Sequence, residues 1–431
     1  MALLPIVSKI LERAIFIQLV DYLETNKLLH PAHHGFRSNH NTSTTLLQMF
    51  DTWLEALENN ELSAAIMIDL SAAFDVVDHT ILTNKLKEYG MNEGAVSWFK
   101  SYLFERSQHV YLEGSLSDPL SISAGVPQGS VLRPLLYILY TNDLPETVHQ
   151  HLGEGNSFYN VHCNKCGGIC SFADDSTLTI SRSSPEERNE VFDQKWRTYM
   201  EANKLVLNSE KTHMLVMATP YQHTQHQNFD ITLDTGTEII EPTYSEKLLG
   251  AYITNDFKFN NHLKDNENSV FKTLTSRVNA LSKISKFSDF KTRKMVANGI
   301  VMSKLIYLIQ WWGGCSDFLI EFLQVLQNRA AGLVTNCSRY TPTAIRLNQC
   351  GWLSVRQLVH YHSLVLAHSM KIHGRPEYFK KHFGMNFPYQ TRLAAGQGIR
   401  RGDRSKHQVT RYSFVARTSS TWNQLPVELR T

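Results

Sequence analysis

Cys170-Ser171-Phe172-Ala173-Asp174-Asp175-Ser176-Thr177-Leu178-Thr179-Ile180 places two adjacent carboxylates between apolar and β-prone residues. Neighbouring residues of a regular strand point to opposite faces, so an Asp-Asp pair is awkward within one. The stretch therefore predicts a tight hairpin with the acids at its tip, and with Phe172 and Leu178 packed on a sheet. Carboxylates suit hard cations, and Mg²⁺ is commonly held by one or two of them together with substrate phosphates. A bare Asp-Asp is more often a solvated turn, so the rest of the chain has to decide.

The 431 residues are enough for two or three domains. Hydrophobic residues make up 42% and charged residues 19%, ordinary for a soluble globular chain. The net charge of +3 says little about partners. From Lys371 onward, however, 12 Lys and Arg face 3 Asp and Glu, a basic tail compatible with phosphate binding or with a solvated surface. Six unevenly spaced cysteines do not make a secreted disulfide scaffold and favour a reducing, intracellular setting, nuclear or cytoplasmic. Met1 to Val7 lacks the features of a signal peptide, and no run of about 18 apolar residues marks a membrane span.

Residues 6–29 read as an amphipathic helix pair, and 30–41 as a loop. Thr42 begins a helix that runs to about Asn59. Ala64 to Leu70 is a short apolar run ending in Asp69, as expected of a buried central strand. Helices are predicted over 79–89 and 93–103, then a hairpin around Glu113-Gly114. The turn Gly125-Val126-Pro127-Gln128-Gly129-Ser130 leads into a helix from Val131 to Leu144, ended by Pro145. Residues 146–169 read as an insertion, 185–203 as a helix, and 214–217, 231–240 and 247–254 as strands. Helical patterns dominate beyond Asp256. Asp69 and Asp174 can supply the carboxylates that a two-metal phosphoryl-transfer site requires if their strands neighbour each other.

These residues resemble the palm of reverse transcriptases, more narrowly those of non-LTR (LINE-type) retrotransposons. Ile66 to His79, with Asp69, Phe74 and Asp75, is similar to the family's first palm motif. Gly125 to Leu132 is similar to the second, and Phe172-Ala173-Asp174-Asp175 to the aromatic-Ala-Asp-Asp signature, with Phe where Tyr is usual. With less specificity, His34 to Ser38 and Thr42 to Thr44 resemble a fingers segment, Asn203 to Thr212 the fourth motif, Lys247 to Tyr252 the primer-grip strand, and Ser413 to Pro426 a C-terminal region.

The resemblance implies an α+β right-hand polymerase with an antiparallel palm sheet. Residues 1–60 would form partial fingers, and 61–258 the palm with a Cys-containing insertion near 150–170. Residues 259–345 would form a helical thumb, and 346–431 a basic C-terminal region. It implies an RNA-directed DNA polymerase acting on an RNA template, a DNA primer and dNTPs, with no membrane partner. Asp69, Asp174 and Asp175 would hold Mg²⁺, with Mn²⁺ as the alternative, and Lys211 would protonate or hold the leaving pyrophosphate. Phe74 would gate the sugar, and Gln128 and Gly129 would touch the nucleotide. Arg37, Leu249 and Gly250 would contact template or primer. Asp75 and Asp78 read as surface or capping acids.

Two departures matter. Met1-Ala2 stands before Leu3-Leu4-Pro5, where the family has an Arg-Pro-Ile-Ser run whose arginine contacts the triphosphate. Arg133 replaces a usual small glycine, and a charge at a packed helix position is costly unless it reaches solvent or a phosphate. Both fit a truncated copy or an incomplete gene, so a folded remnant that binds nucleic acid without turnover is the competing expectation. A metal-dependent nuclease is the third. His162, Cys163, Cys166 and Cys170 offer a half-site for Zn²⁺, but a Gly-turned hairpin with free thiols is the reading preferred over Zn²⁺.

Overall fold

The computed structural model describes residues 4–149, 168–182, 196–219, 233–234, 238–338, 340–383, 410 and 412–430. The chain divides into two compact units. The first comprises 1–41, 63–214 and 227–242, and the second 42–62, 215–226 and 243–431.

The first unit begins with α1 (Ile6–Thr25). It is one helix, not the expected pair. Asn26 caps it and Lys27 takes a left-handed φ of 53°, so the chain turns before Leu28. The apolar stripe is only partly used. Leu19 and Leu23 are buried, whereas Ile6, Val7, Ile10 and Leu11 stand in solvent.

β1 (Leu62–Ile68) is buried at every position, as the apolar run Ala64–Ile68 requires, and Ser63 is buried with it. Each large aliphatic side chain buried there is worth about 1.5–3 kcal/mol. β6 (Gly168–Phe172) and β7 (Asp175–Arg182) form an antiparallel hairpin, with Phe172 paired to Asp175 and Cys170 to Thr177. Within the first unit β7 lies between β1 and β6. Leu178 is buried as expected, but Phe172 is only half-buried. The outer side of β6 is met by residues 32–34. Ser171 donates its amide to the Ala32 carbonyl, His34 donates to the Ser171 carbonyl, and His33 bridges Ser171 in parallel sense.

Helices α3 (His79–Glu88), α4 (Glu93–Leu103) and α5 (Arg133–Thr141) flank this core. The Glu113-Gly114 hairpin is present. β2 (Arg106–Gln108) pairs with β5 (Leu120–Ile122), and β3 (Tyr111–Leu112) with β4 (Ser115–Leu116), around two left-handed residues. Pro145 does not end α5. That helix stops at Thr141, and Pro145 lies in the first turn of α6 (Leu144–His149), where a missing amide costs nothing. The Cys163, Cys166 and His162 positions lie outside the described residues. Cys170 is a buried free thiol on β6. Of the helix expected over 185–203, the described part is α7 (Arg197–Ala202).

Beyond residue 243 the second unit is mainly helical, with one hairpin, β8 (Ser245–Leu248) and β9 (Ala251–Thr254). α2 (Thr42–Glu58) sends Phe50 into an aromatic cluster with Phe257, Phe259 and Trp311. Five longer helices follow. They are α8 (Val270–Ile284), α9 (Phe290–Ala297), α10 (Asp317–Thr335), α11 (Thr343–Cys350) and α12 (Val355–His373). α13 (Phe414–Trp422) packs on α12 and buries Phe414 and Trp422. Among the described residues, no helix is long and apolar enough to cross a membrane.

Candidate active site

Asp69 is the first residue beyond β1, and Asp175 the first of β7, the neighbouring strand. Phe172 and Asp175 pair, so Ala173-Asp174 is a two-residue turn. Ala173 carries a φ of 62°, a left-handed conformation that L-residues adopt reluctantly. Asp174 and Asp175 both keep contact with solvent. Surrounding protein mass, then the charges of Asp174 and Asp69, push the Asp175 carboxyl up to about 6. Three carboxylates thus share one electrostatic neighbourhood, the condition under which a bound cation gains most. These hard oxygen donors fit a divalent cation of the Mg²⁺ type. No tight cluster of three His, Cys, Asp or Glu stands at metal-holding spacing among the described residues.

Asp69 is fixed by the segment that resembles the fourth motif. Its amide donates to Thr212 Oγ1 at 3.3 Å, and its carbonyl accepts from the Asn208 amide at 2.9 Å. Ser71 donates to the Val206 carbonyl, and Leu70 bridges Leu207. Lys211 ends the 3₁₀ turn Ser209–Lys211 between these contacts, with its side chain exposed.

Phe74 and the Gln128 turn are stitched together. Val126 donates to the Phe74 carbonyl at 3.0 Å and Gly125 to the Val77 carbonyl at 2.8 Å. A Cβ on Gly125 would lie 2.7 Å from the Asp75 carbonyl oxygen, and its φ of 87° is left-handed, so this crossing demands glycine. Gln128 and Gly129 are exposed on the turn. The Phe74 ring packs 4.7 Å from that of Tyr137, and the Arg133 guanidinium lies over it at 4.7 Å. Arg133 also donates to Asp75 Oδ1 at 3.1 Å and to the Val126 carbonyl at 3.3 Å. Arg133 and Tyr137 are four residues apart on α5, hence on one face. Burial, then the Asp174 charge, raise the Tyr137 hydroxyl pKa.

Asp78 is the N-cap of α3, accepting from the amides of Thr80 and Ile81, and it pairs with Lys204 at 2.6 Å. Arg37, expected on template or phosphate, points its guanidinium inward. It binds both Glu24 carboxylate oxygens, at 2.9 and 3.2 Å, and the carbonyls of His30 and His33. Leu249 and Gly250 form the left-handed turn between β8 and β9 in the second unit, where Tyr307 donates its hydroxyl to the Leu249 carbonyl at 2.7 Å.

Sequence reasoning missed Glu12. This buried carboxylate accepts from the Val131 amide at 2.6 Å and from the Tyr102 hydroxyl at 3.2 Å, and Tyr102 lies 2.6 Å from Ser130 Oγ. It anchors the far end of the Gln128 turn. The available signal was an acid on the Leu19–Leu23 side of α1.

Asp69 and the Asp174-Asp175 turn thus lie at the ends of neighbouring strands, and the Gln128 turn is tied to the Phe74 segment. The family model described as reverse transcriptase (RNA-dependent DNA polymerase) matches residues 1–251, and the chain belongs to that family. It is 28% identical over 349 residues to a probable RNA-directed DNA polymerase from transposon X-element of Drosophila melanogaster, covering 78% of this chain and 35% of that protein. The corresponding protein of transposon BS, from the same organism, is 29% identical, with 79% and 36% covered. The chain therefore spans about a third of the length of these relatives. Among solved structures, apo telomerase from Candida tropicalis matches with a TM-score of 0.45 and 12% identity, covering 87% of this chain and 59% of that one.

Proposed function

We propose that this chain is an RNA-directed DNA polymerase that extends a DNA 3′-hydroxyl on an RNA template. The observation that carries the reading is the carboxylate of Asp69 at the end of β1 beside the Asp174-Asp175 hairpin start. In the reaction, the primer 3′-oxygen bonds to the α-phosphorus of the incoming nucleotide and loses its proton, and the bond to pyrophosphate breaks. Divalent metal, Mg²⁺ on this reading, neutralises the triphosphate and lowers the pKa of the 3′-hydroxyl when bound.

The chain's own groups do the positioning. Asp69 and Asp174 hold the cations, with Asp175 beside them. Phe74 supports the sugar, Gln128 and Gly129 approach the nucleotide, and Lys211 supplies a proton or a charge to the leaving pyrophosphate. Leu249 and Gly250 steady the primer. Such a site works by orientation and electrostatics rather than by covalent chemistry.

One observation favours a second reading, binding without turnover. The Arg133 guanidinium covers a face of Phe74 on which a sugar would pack. Incubation with poly(rA)/oligo(dT) and dTTP, in Mg²⁺ and then Mn²⁺, separates the two. Extension lost in Asp174→Asn supports the polymerase. Retained template-primer binding without extension supports the second reading, and template degradation without extension points to a nuclease.

A further inference from the structure

Within the second unit, the segment Gly313-Gly314-Cys315, one face of α12 and the start of α13 line a partly open pocket of about 140 Å³. Two arginines, Arg356 and Arg417, and His360 line it against one carboxylate, Asp317. Arg417 donates to Ser363 Oγ at 2.9 Å and to the Gln310 carbonyl. Its Nε–H and the hydroxyl of Thr418, a residue 1% exposed, are buried with no hydrogen-bond partner. Arg417 forms no ion pair among the described residues, and Asp317, the acid on this lining, is exposed and paired with Arg356 at 2.8 Å. Arg356 and His360 complete the charged part of the lining.

A guanidinium withdrawn from water without a carboxylate is costly, and so is each orphaned donor. Burial lowers the Arg417 pKa to about 10, against the opposing pull of Cys315 and Asp51. The His360 imidazole is held down by burial and then by Arg417 and Arg356. Field and orphan donors both ask for an oxyanion. A phosphate offers several oxygens to donors arriving from different elements, and arginine is the side chain best matched to it.

We infer that this pocket binds a single phosphate group, held by Arg417 and Thr418 with Arg356 and His360 beside them. The group could come from free inorganic phosphate or from the end of a nucleic-acid strand. The site lies wholly in the second unit and does not depend on the polymerase reading.

The test uses the full chain and its Thr418→Val variant, which keeps the side-chain shape and removes the orphaned hydroxyl. In chloride the variant should melt no lower than the wild type. At matched ionic strength, phosphate should raise the wild-type melting temperature in a concentration-dependent way, as linkage requires. Calorimetric titration with inorganic phosphate should show at least a tenfold weaker affinity in the variant. A 5′-phosphorylated oligonucleotide bound more tightly than its 5′-hydroxyl twin, with the difference lost in Thr418→Val, assigns the site to a strand end. Equal binding of the two oligonucleotides with retained phosphate binding assigns it to the free anion. No response to phosphate beyond that to chloride, or an equal response in wild type and variant, overturns the inference.

Discussion

The guanidinium of Arg133 lies 4.7 Å from the centroid of the Phe74 ring while one of its nitrogens holds Asp75 at 3.1 Å. A residue that looked out of place on a close-packed helix thus has three partners: an aromatic face, a carboxylate and the Val126 carbonyl. It fixes the Phe74 loop against α5. A cation–π contact contributes about 0.5–1 kcal/mol and an ion pair to an exposed acid about 0–1 kcal/mol, so Arg133→Ala should cost about 1–2 kcal/mol in urea unfolding. The same variant frees the Phe74 ring, so it should change the ratio of dTTP to UTP incorporation more than the rate with dTTP. An unchanged ratio alongside the stability loss would confine Arg133 to a structural role.

Asp69 and Asp174 are expected to be needed equally. Asp69→Asn and Asp174→Asn should each lower primer extension by more than about 100-fold, beyond the loss seen when outer partners of a metal ligand are removed. Circular dichroism spectra should match the wild type, since the carboxylates sit at strand ends and not in the buried run of β1. A variant with more than a tenth of wild-type extension would exclude that residue from holding the cation.

Gly35 presses on the hairpin tip. A Cβ there would stand 2.5 Å from the Ala173 amide nitrogen, a backbone atom that cannot swing aside. Gly35→Ala should therefore destabilise by about 1–3 kcal/mol, the range for overpacking, and displace the Asp174 turn. Ala173→Gly should do the opposite, relieving about 1 kcal/mol of left-handed strain. Paired melting curves of the two variants check both signs.

His33 is 1% exposed and lies against the Thr141 carbonyl at 3.2 Å through Nε2, while its Nδ1 is buried without a partner. Burial lowers its pKa to about 4, with the Arg37 charge adding to the fall and the Thr141 carbonyl opposing it. The unfolded chain therefore takes up the proton first. The stability from keeping His33 neutral is whole above pH 6.5 and is lost as pH falls towards 4, on the order of 3 kcal/mol. Unfolding titrations from pH 7 to 4 should show this slope, and His33→Gln should flatten it. An identical slope in the variant would assign the acid sensitivity elsewhere.

Much of this arrangement can be read from local chemistry. The Asp-Asp hairpin, the acid ending β1, the Glu113-Gly114 turn and Asp78 as a helix cap all follow from strand alternation and from residues that tolerate particular backbone angles. What escapes is decided by long-range partners. Nothing near Arg37 in sequence announces Glu24, thirteen residues earlier, as its mate. Glu12 meets an amide 119 residues away. Pro145 was legible as a helix boundary but not as the start of the next helix, because proline suits either place. The α1 stripe was legible as apolar, but periodicity does not report which part of a stripe finds something to cover it.

Among the described strands of the first unit β6 lies outside β7, and an outermost strand with unpaired amides is a template on which other chains can add. Residues 32–34 occupy that position at Ser171, taking its amide on the Ala32 carbonyl and giving the His34 amide to its carbonyl. The loop before α2 thus also guards solubility. Loosening it would expose a sticky seam beside the acids, so substitutions at Ala32 or His34 are expected to show first as concentration-dependent aggregation, before any loss of the hairpin itself.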